Sequence, residues 1–289
     1  MKKNILVYIL IIAIIALISI FYGIRIGKNS VSTSNDVNEL ANNLIQNNII
    51  DSVTEISANT VAKSNITNTK YDVSYSSETF SSYNEENEKV CISERNIPTV
   101  INNSNPDSAK VIESDLRAIM DDVWENQIKK TSEEVKIRLN GERVLGVKYF
   151  VNMEYQTNKI ITFSIKLDGD FGGVTWDGYE LYSYDAQTGE LLTLNNIGND
   201  TDNLKNLIVE RTKNVTASKQ IQIDDTGNVG VDMLLLEKMA SHGSFGILGD
   251  GIHINYQKYE IAIGAAGVIE VVIEKDVANK YIYDKYLID

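Results

Sequence analysis

The residues that could do chemistry are few, and their spacing keeps them apart. Histidine occurs twice, at His242 and His253. Zinc takes three or four N, S or O ligands at characteristic spacing, and neither histidine has a His or Cys neighbour at helical spacing. His242 sits in a Ser-His-Gly turn. His253 lies between Ile252 and Ile254 and points to the opposite side of a strand from them. Asp168, Asp170 and Asp177 lie beside glycines, in the kind of loop calcium favours. No EF-hand spacing with a bidentate Glu at its end accompanies them, and turn geometry alone accounts for Asp and Gly there. Asp121-Asp122 and Asp224-Asp225 could serve as general acids or bases. Neighbours on a helix point about 100° apart, so neither pair converges. No Ser or Thr stands in a nucleophile elbow. Gly172-Gly173 is followed by no Lys and no helix start, which rules out a phosphate loop. The expectation is a chain that is not an enzyme, with no catalytic residue, no metal and no cofactor.

Two other residue types bear on function. Cys91 is the one cysteine, so no disulfide can form within the chain. In Lys89-Val90-Cys91-Ile92 it reads as a small buried hydrophobe. Tyrosine occurs fifteen times, grouped as Tyr179, Tyr182 and Tyr184, then Tyr256 and Tyr259, then Tyr281, Tyr283 and Tyr286. Tyrosine anchors recognition surfaces and is also a good strand residue; the pattern allows both.

Charge narrows the partners. The formal net charge is −13. Lys2, Lys3, Arg25 and Lys28 fall in the first 28 positions, where there is no Asp or Glu, so the remainder is more acidic still. Such a surface repels nucleic acid and anionic lipid and favours cationic partners.

The elements that must position these residues begin with a membrane segment. Residues 1–4 are a short basic head. Ile5–Gly23 is an uncharged apolar run of nineteen residues, long enough to span a bilayer, with Tyr8 and Tyr22 at its interfaces. The bulky Phe21-Tyr22 exit does not fit signal-peptide cleavage. The expectation is an uncleaved signal anchor with the bulk of the chain extracellular. Residues 24–69 are Ser-, Thr- and Asn-rich and read as a flexible stalk with one short amphipathic helix around Val37–Ile45.

From residue 70 the pattern is globular. Tyr71–Tyr75 and Glu88–Glu94 alternate as strands, and Pro98 is expected to end the second. Asn105-Pro106-Asp107 starts a helix over about 106–130, with Val111, Ile112, Leu116, Ile119, Met120, Val123, Trp124 and Ile128 inward. A strand at Val135–Leu139 and the Asn140-Gly141 turn predict a hairpin. Val144–Tyr155, Ile160–Leu167, Val174–Tyr184 and Glu190–Leu194 extend it as a meander. A helix follows from Thr201 or Asp202 to about Lys219, another is expected over 232–240, then strands in 251–273 and a short closing helix in 276–286. The fold class is α+β: an antiparallel sheet with helices packed on one face, after an N-terminal transmembrane helix. The globular part is expected to divide at about 70–165 and 166–289.

Three stretches carry a resemblance. Gly172-Gly173, then Gly178–Leu194, then Gly251–Gly267 with Tyr259-Glu260-Ile261-Ala262 and Ala265-Ala266-Gly267, resemble the DUF3298 family. That domain is similar to the extracellular part of RsiV-type anti-sigma factors and to the N-terminal part of certain peptidoglycan deacetylases. The preceding region, with Ile97-Pro98 before a helix, resembles the DUF4163 module. The resemblance covers about residues 70–287 and implies an exported, membrane-attached protein of Gram-positive bacteria. RsiV-like members bind lysozyme without turning it over, and an acidic surface suits that cationic enzyme. Departures from the family pattern are Val174-Thr175 in place of Ala-His after the glycine pair, and Ile263-Gly264 in place of Pro-Tyr.

The functional expectation is a non-catalytic, membrane-anchored ectodomain that binds or senses a cell-envelope component such as lysozyme. The alternative is an envelope hydrolase or deacetylase-related enzyme that uses loop carboxylates. The contact surface is placed at Asp170, Phe171, Tyr256, Lys258 and Tyr259, with Tyr256, Lys258 and Tyr259 exposed beside the Asp170-Phe171 loop. The small residues from Gly264 to Gly267 are expected to let two backbones approach.

Overall fold

A computed structural model describes residues 70–136, 143–173, 175–219, 236–239, 243–258, 260–262 and 266–289, all within one unit, Asn65–Asp289. The basic head, the apolar span and the stalk lie outside the described residues. So do the Asn140-Gly141 turn and most of the 232–240 helix. Among the described residues no helix is long and apolar enough to cross a membrane.

The first helix forms where its start signals lie. Asn105 caps it, its side chain accepting from Ser108 N, with Pro106 first in the helix and Asp107 in the first turn. It runs as α1 (Pro106–Val123), passes through a π turn (Trp124–Ile128) and continues as α2 (Lys129–Glu134). Its buried stripe is Ile112, Leu116, Met120, Trp124 and Ile128, one residue every four. An α-helix turns every 3.6 residues, so a strict four-residue stripe drifts around it. The π turn, where the Lys129 N–H bonds back to Trp124 O, is wider and brings Trp124 and Ile128 back onto the sheet. Val111, expected inward, is 48% exposed. It lies on the side away from the stripe that Ile112 begins.

That helix covers one side of a five-stranded sheet in the order β1-β2-β3-β4-β5. The strands are β1 (Asp72–Tyr83), β2 (Lys89–Ile101), β3 (Gly146–Gln156), β4 (Ile160–Asp170) and β5 (Thr175–Asp185). Residues alternate across β4. Ile161, Phe163 and Ile165 join the helix-side core, and Ile160 enters a second core on the other side.

The sheet differs from the expected all-antiparallel one at a single joint. β2 and β3 pair in parallel, at Glu94↔Lys148 and Arg95↔Tyr149. The long helical crossover between them makes this possible, since parallel neighbours need such a connection. Past this short ladder Asn96 takes over the bonding: its amide donates to Val151 O at 2.8 Å and accepts from Val151 N at 2.7 Å. Pro98 does not end β2 but pairs with Tyr75 inside it, beyond the β2–β3 ladder, where a missing N–H breaks no bond to the inner strand. Glu190–Leu194 does not return as a strand. It makes one bridge, Tyr184↔Leu191, because Thr193 caps a short helix, α3 (Leu194–Ile197), in a capping box with Asn196. The division expected near 165–166 falls inside β4, whose ladders to β3 and β5 run unbroken across it.

The second core lies under a three-stranded antiparallel sheet, β6 (Gly246–Leu248), β7 (Gly251–Tyr256) and β8 (Ile269–Glu274). It is covered by α4 (Thr201–Ser218), which Asp200 caps. The chain closes with a short helix, α5 (Lys275–Ala278), and a 3-10 turn (Asp284–Tyr286). Helices are therefore not confined to one face of one sheet. The large sheet has α1 on one side and the small sheet on the other. Hydroxyls join the two sheets: Thr162 Oγ1 donates to Ile247 O at 2.6 Å, and Ile247 N donates to Ser183 Oγ at 2.8 Å.

Candidate binding surface

The residues singled out from sequence fall around the turn between β4 and β5. Asp170 ends β4 and Thr175 begins β5, directly opposite it. Asp168, Asp170, Thr175 and Asp177 share one side of this hairpin, because facing residues in an antiparallel pair point the same way. Phe171 and Trp176 meet edge to face, with ring centroids 4.8 Å apart and planes at 87°, a favoured aromatic geometry.

The segment after β7 closes on this hairpin. Gln257 Oε1 accepts from Tyr179 N at 3.0 Å, and Gln257 Nε2 donates to Tyr179 O at 2.8 Å. β5 is an edge strand, and this one amide satisfies both backbone groups of Tyr179 there. Lys258 then reaches the tip, donating to Thr175 Oγ1 at 2.9 Å and to Thr175 O at 3.3 Å, and it forms an ion pair with Asp177. Across the tip, Arg143 pairs with Asp170.

The structure thus brings Lys258 to the hairpin that carries Asp170 and Phe171. Tyr259 lies outside the described residues. Tyr256 is corrected: its side chain is fully buried, within the small-sheet core, and its hydroxyl lies 3.0 Å from Thr212 Oγ1. Alternation along β7 places it with Ile252 and Ile254; the strand ends at Tyr256, and Lys258 lies in the turn beyond it. Burial pushes its hydroxyl pKa up to about 12. Asp170 is also buried, so the exposed side of the tip belongs to Asp168 and Thr175, while Phe171 and Trp176 are half-buried against the helix-side core. Trp176 carried no spacing signal beyond its place in an alternating strand. Gln257, inside the Gly251–Gly267 stretch, carried no signal of its own, and its role here is to fasten Lys258 to β5.

Two of these carboxylates are already engaged. Asp170 is taken by Arg143 and Asp177 by Lys258. Asp168 is exposed, and its carboxylate has no bonding partner among the described residues. Nor do the described residues hold a group of three or more His, Cys, Asp or Glu able to bind a metal. His253 is held between two carboxylates, Nε2 at 2.8 Å from Asp250 and Nδ1 at 3.0 Å from Glu270. The bond to His253 lowers the Asp250 pKa.

Of the small residues expected to form a tight crossing, Gly264 and Ala265 lie outside the described residues, and Gly267 acts otherwise. Gly267 has φ +69°, and a Cβ there would meet nothing within 4 Å, so its need is the left-handed backbone. The close approach is at Gly251, where a Cβ would lie 2.1 Å from Ile273 O.

Residues 193–276 match the family model DUF3298, described as a protein of unknown function. This stretch is a DUF3298 domain. It takes in α3, α4 and the small sheet, and it includes Gly251–Gly267, Gln257 and Lys258. The match begins after Gly172-Gly173 and almost all of Gly178–Leu194. No curated protein matches the chain. Among solved structures, a DUF3298 family member from Bacteroides fragilis NCTC 9343 is similar at TM-score 0.48 and 14% identity, over 77% of this chain and 98% of that one. A DUF3298 family protein from Pseudomonas aeruginosa PAO1 is similar at TM-score 0.47 and 12% identity, over 76% of this chain and 97% of that one. The β4–β5 tip precedes the DUF3298 domain, and the domain reaches it through Gln257 and Lys258.

Proposed function

We propose that the protein is a non-catalytic, membrane-anchored extracellular receptor domain that binds a cationic cell-envelope protein of the lysozyme class. The observation that carries this reading is the β4–β5 tip. It holds a half-buried aromatic pair on its helix side and an exposed carboxylate, Asp168, on the other, and its other two carboxylates are already matched by Arg143 and Lys258. A general acid–base pair needs carboxyl groups free to meet one substrate. A recognition surface needs rigid aromatic anchors and complementary charge. The tip fits the second requirement.

The wider charge supports the same reading. A net charge of −13 draws a basic partner in at a rate that falls with salt. In this reading Ile5–Gly23 anchors the chain in the membrane and residues 24–69 hold the domain away from it. The region before the DUF3298 domain is a DUF4163-like module, and the whole is RsiV-like in its partner. The test is calorimetric titration of lysozyme into the chain at low and high salt. Binding that weakens as salt rises is expected, and no binding at low salt would refute the lysozyme assignment.

A further inference from the structure

A second surface is built from other elements, where the chain end crosses the start of the DUF3298 domain. An open cleft of about 600 Å³ is lined by Asn196, Asn199, Tyr283, Asp284 and Lys285. That volume lies within the range of small-molecule sites. Backbone bonds fix the two segments that carry its lining residues. Gly198 bridges to Ile282, Tyr283 N donates to Ile197 O at 2.8 Å, and Asn199 N donates to Tyr281 O at 3.0 Å.

The polar groups of the cleft are pinned yet keep bonding capacity. Asn196 Oδ1 accepts from Thr193 N at 2.7 Å, and its Nδ2 donates to Leu191 O at 3.0 Å. Asn199 Nδ2 donates to Ile282 O at 2.9 Å. A side-chain amide can make four hydrogen bonds, so each keeps at least one donor and one acceptor position. Among the described residues nothing bonds the Asp284 carboxylate, the Tyr283 hydroxyl or Asn199 Oδ1. Tyr283 keeps 47% of its surface exposed, the most of the chain-end tyrosines among the large exposed apolar side chains. Lys285 is engaged elsewhere, 4.3 Å above the Tyr286 ring and 3.8 Å from Asp185.

We infer that this cleft binds a neutral oligosaccharide. An exposed aromatic ring offers a flat apolar face to the C–H side of a pyranose. Fixed amides and a free carboxylate offer paired bonds to adjacent hydroxyls. An anion would meet the Asp284 carboxylate, unpaired among the described residues, while Lys285 of the same lining is turned toward Asp185 and the Tyr286 ring. A wholly apolar ligand would bury these polar groups unpaired. The site shares no residue with the β4–β5 tip, so it stands or falls apart from the reading given for that surface.

The test uses the full-length chain in a detergent without a sugar headgroup. Chitotetraose, cellotetraose and maltotetraose are the probes, read by saturation-transfer NMR and calorimetry. At least one is expected to bind with Kd on the order of 1 mM or tighter. Tyr283→Ala should weaken it at least ~10-fold and Tyr283→Phe should not. Asp284→Asn, which keeps the shape, should weaken it by about 3-fold or more. All three variants should melt with the parent. The inference is overturned if none of the three binds up to about 10 mM, or if Tyr283→Ala and Asp284→Asn both bind as the parent does.

Discussion

Gln257 bonds Tyr179 as one residue of a neighbouring strand would, through both its amide groups, at 3.0 and 2.8 Å. Asn96 does the same to Val151. In both places a side chain completes a sheet where the backbone ladder has stopped. The first of these joins the DUF3298 domain to the hairpin whose tip forms the candidate surface, so the position of Lys258 depends on it.

Gln257→Ala should therefore release the tip. Two hydrogen bonds to a half-buried edge are lost, and a net loss of about 1–2 kcal/mol is expected. Amide exchange at Tyr179 should quicken while that at Phe163, in the middle of the ladder, does not. Unchanged protection at Tyr179 would show that the clasp does not hold.

Tyr256→Phe should lose about 1 kcal/mol, since Thr212 Oγ1 still bonds Ile208 O at 2.8 Å. Tyr256→Ala should lose about 3–5 kcal/mol through the cavity it leaves. The hydroxyl pKa is raised, to about 12. Its stabilising contribution is thus complete below the ordinary tyrosine range and disappears as pH rises through about 12. Alkaline unfolding should begin at higher pH in Tyr256→Phe than in the parent.

Glu78 binds three partners at the π turn: Arg95, Trp124 Nε1 at 3.1 Å and Lys129 at 3.2 Å. Burial raises its pKa, but the bonds from Arg95, Trp124 and Lys129 outweigh that, and the net shift is downward. A lowered carboxyl contributes stability above its unfolded pKa and loses it as pH falls through the folded one. Glu78→Gln should cost about 2 kcal/mol at neutral pH, because Arg95 is only 6% exposed and keeps Asp121 alone. Denaturant melts at neutral pH and at about pH 3 should show the gap to the parent narrowing in acid.

Glu260 shifts the other way. Burial raises its pKa, against the hydrogen bond from Gln257 N and the charge of Lys238. A raised carboxyl gives a contribution that is complete in acid and lost as pH rises through the folded pKa. Glu260→Gln should flatten the part of the stability profile that lies above the ordinary carboxylate range. An unaltered profile would contradict the burial argument.

Much of this architecture was legible in the sequence where local signals are strong. The cap at Asn105 and the apolar stripe to Ile128 fix the first helix, and strict alternation marks β3, β4 and β5. The parallel joint between β2 and β3 was not legible, because pairing across a long crossover leaves no local mark. Tyr256 was misplaced for a related reason. β7 is the central strand of its sheet and all its residues are buried, so no solvent side shows in its pattern. The contact of Lys258 with Thr175 joins residues 83 apart in sequence, and no spacing rule reaches that far.

The most direct test of the receptor reading is calorimetry of the full-length chain with a cationic lysozyme, comparing the parent with Asp168→Lys. Asp168 is exposed and its carboxylate bonds nothing among the described residues, so reversing its charge should leave stability within about 0.5 kcal/mol. The account predicts a saturable complex whose affinity falls as salt rises, and a loss of at least ~10-fold in affinity for Asp168→Lys at low salt. No complex at low salt, or equal binding by the two proteins, would contradict it.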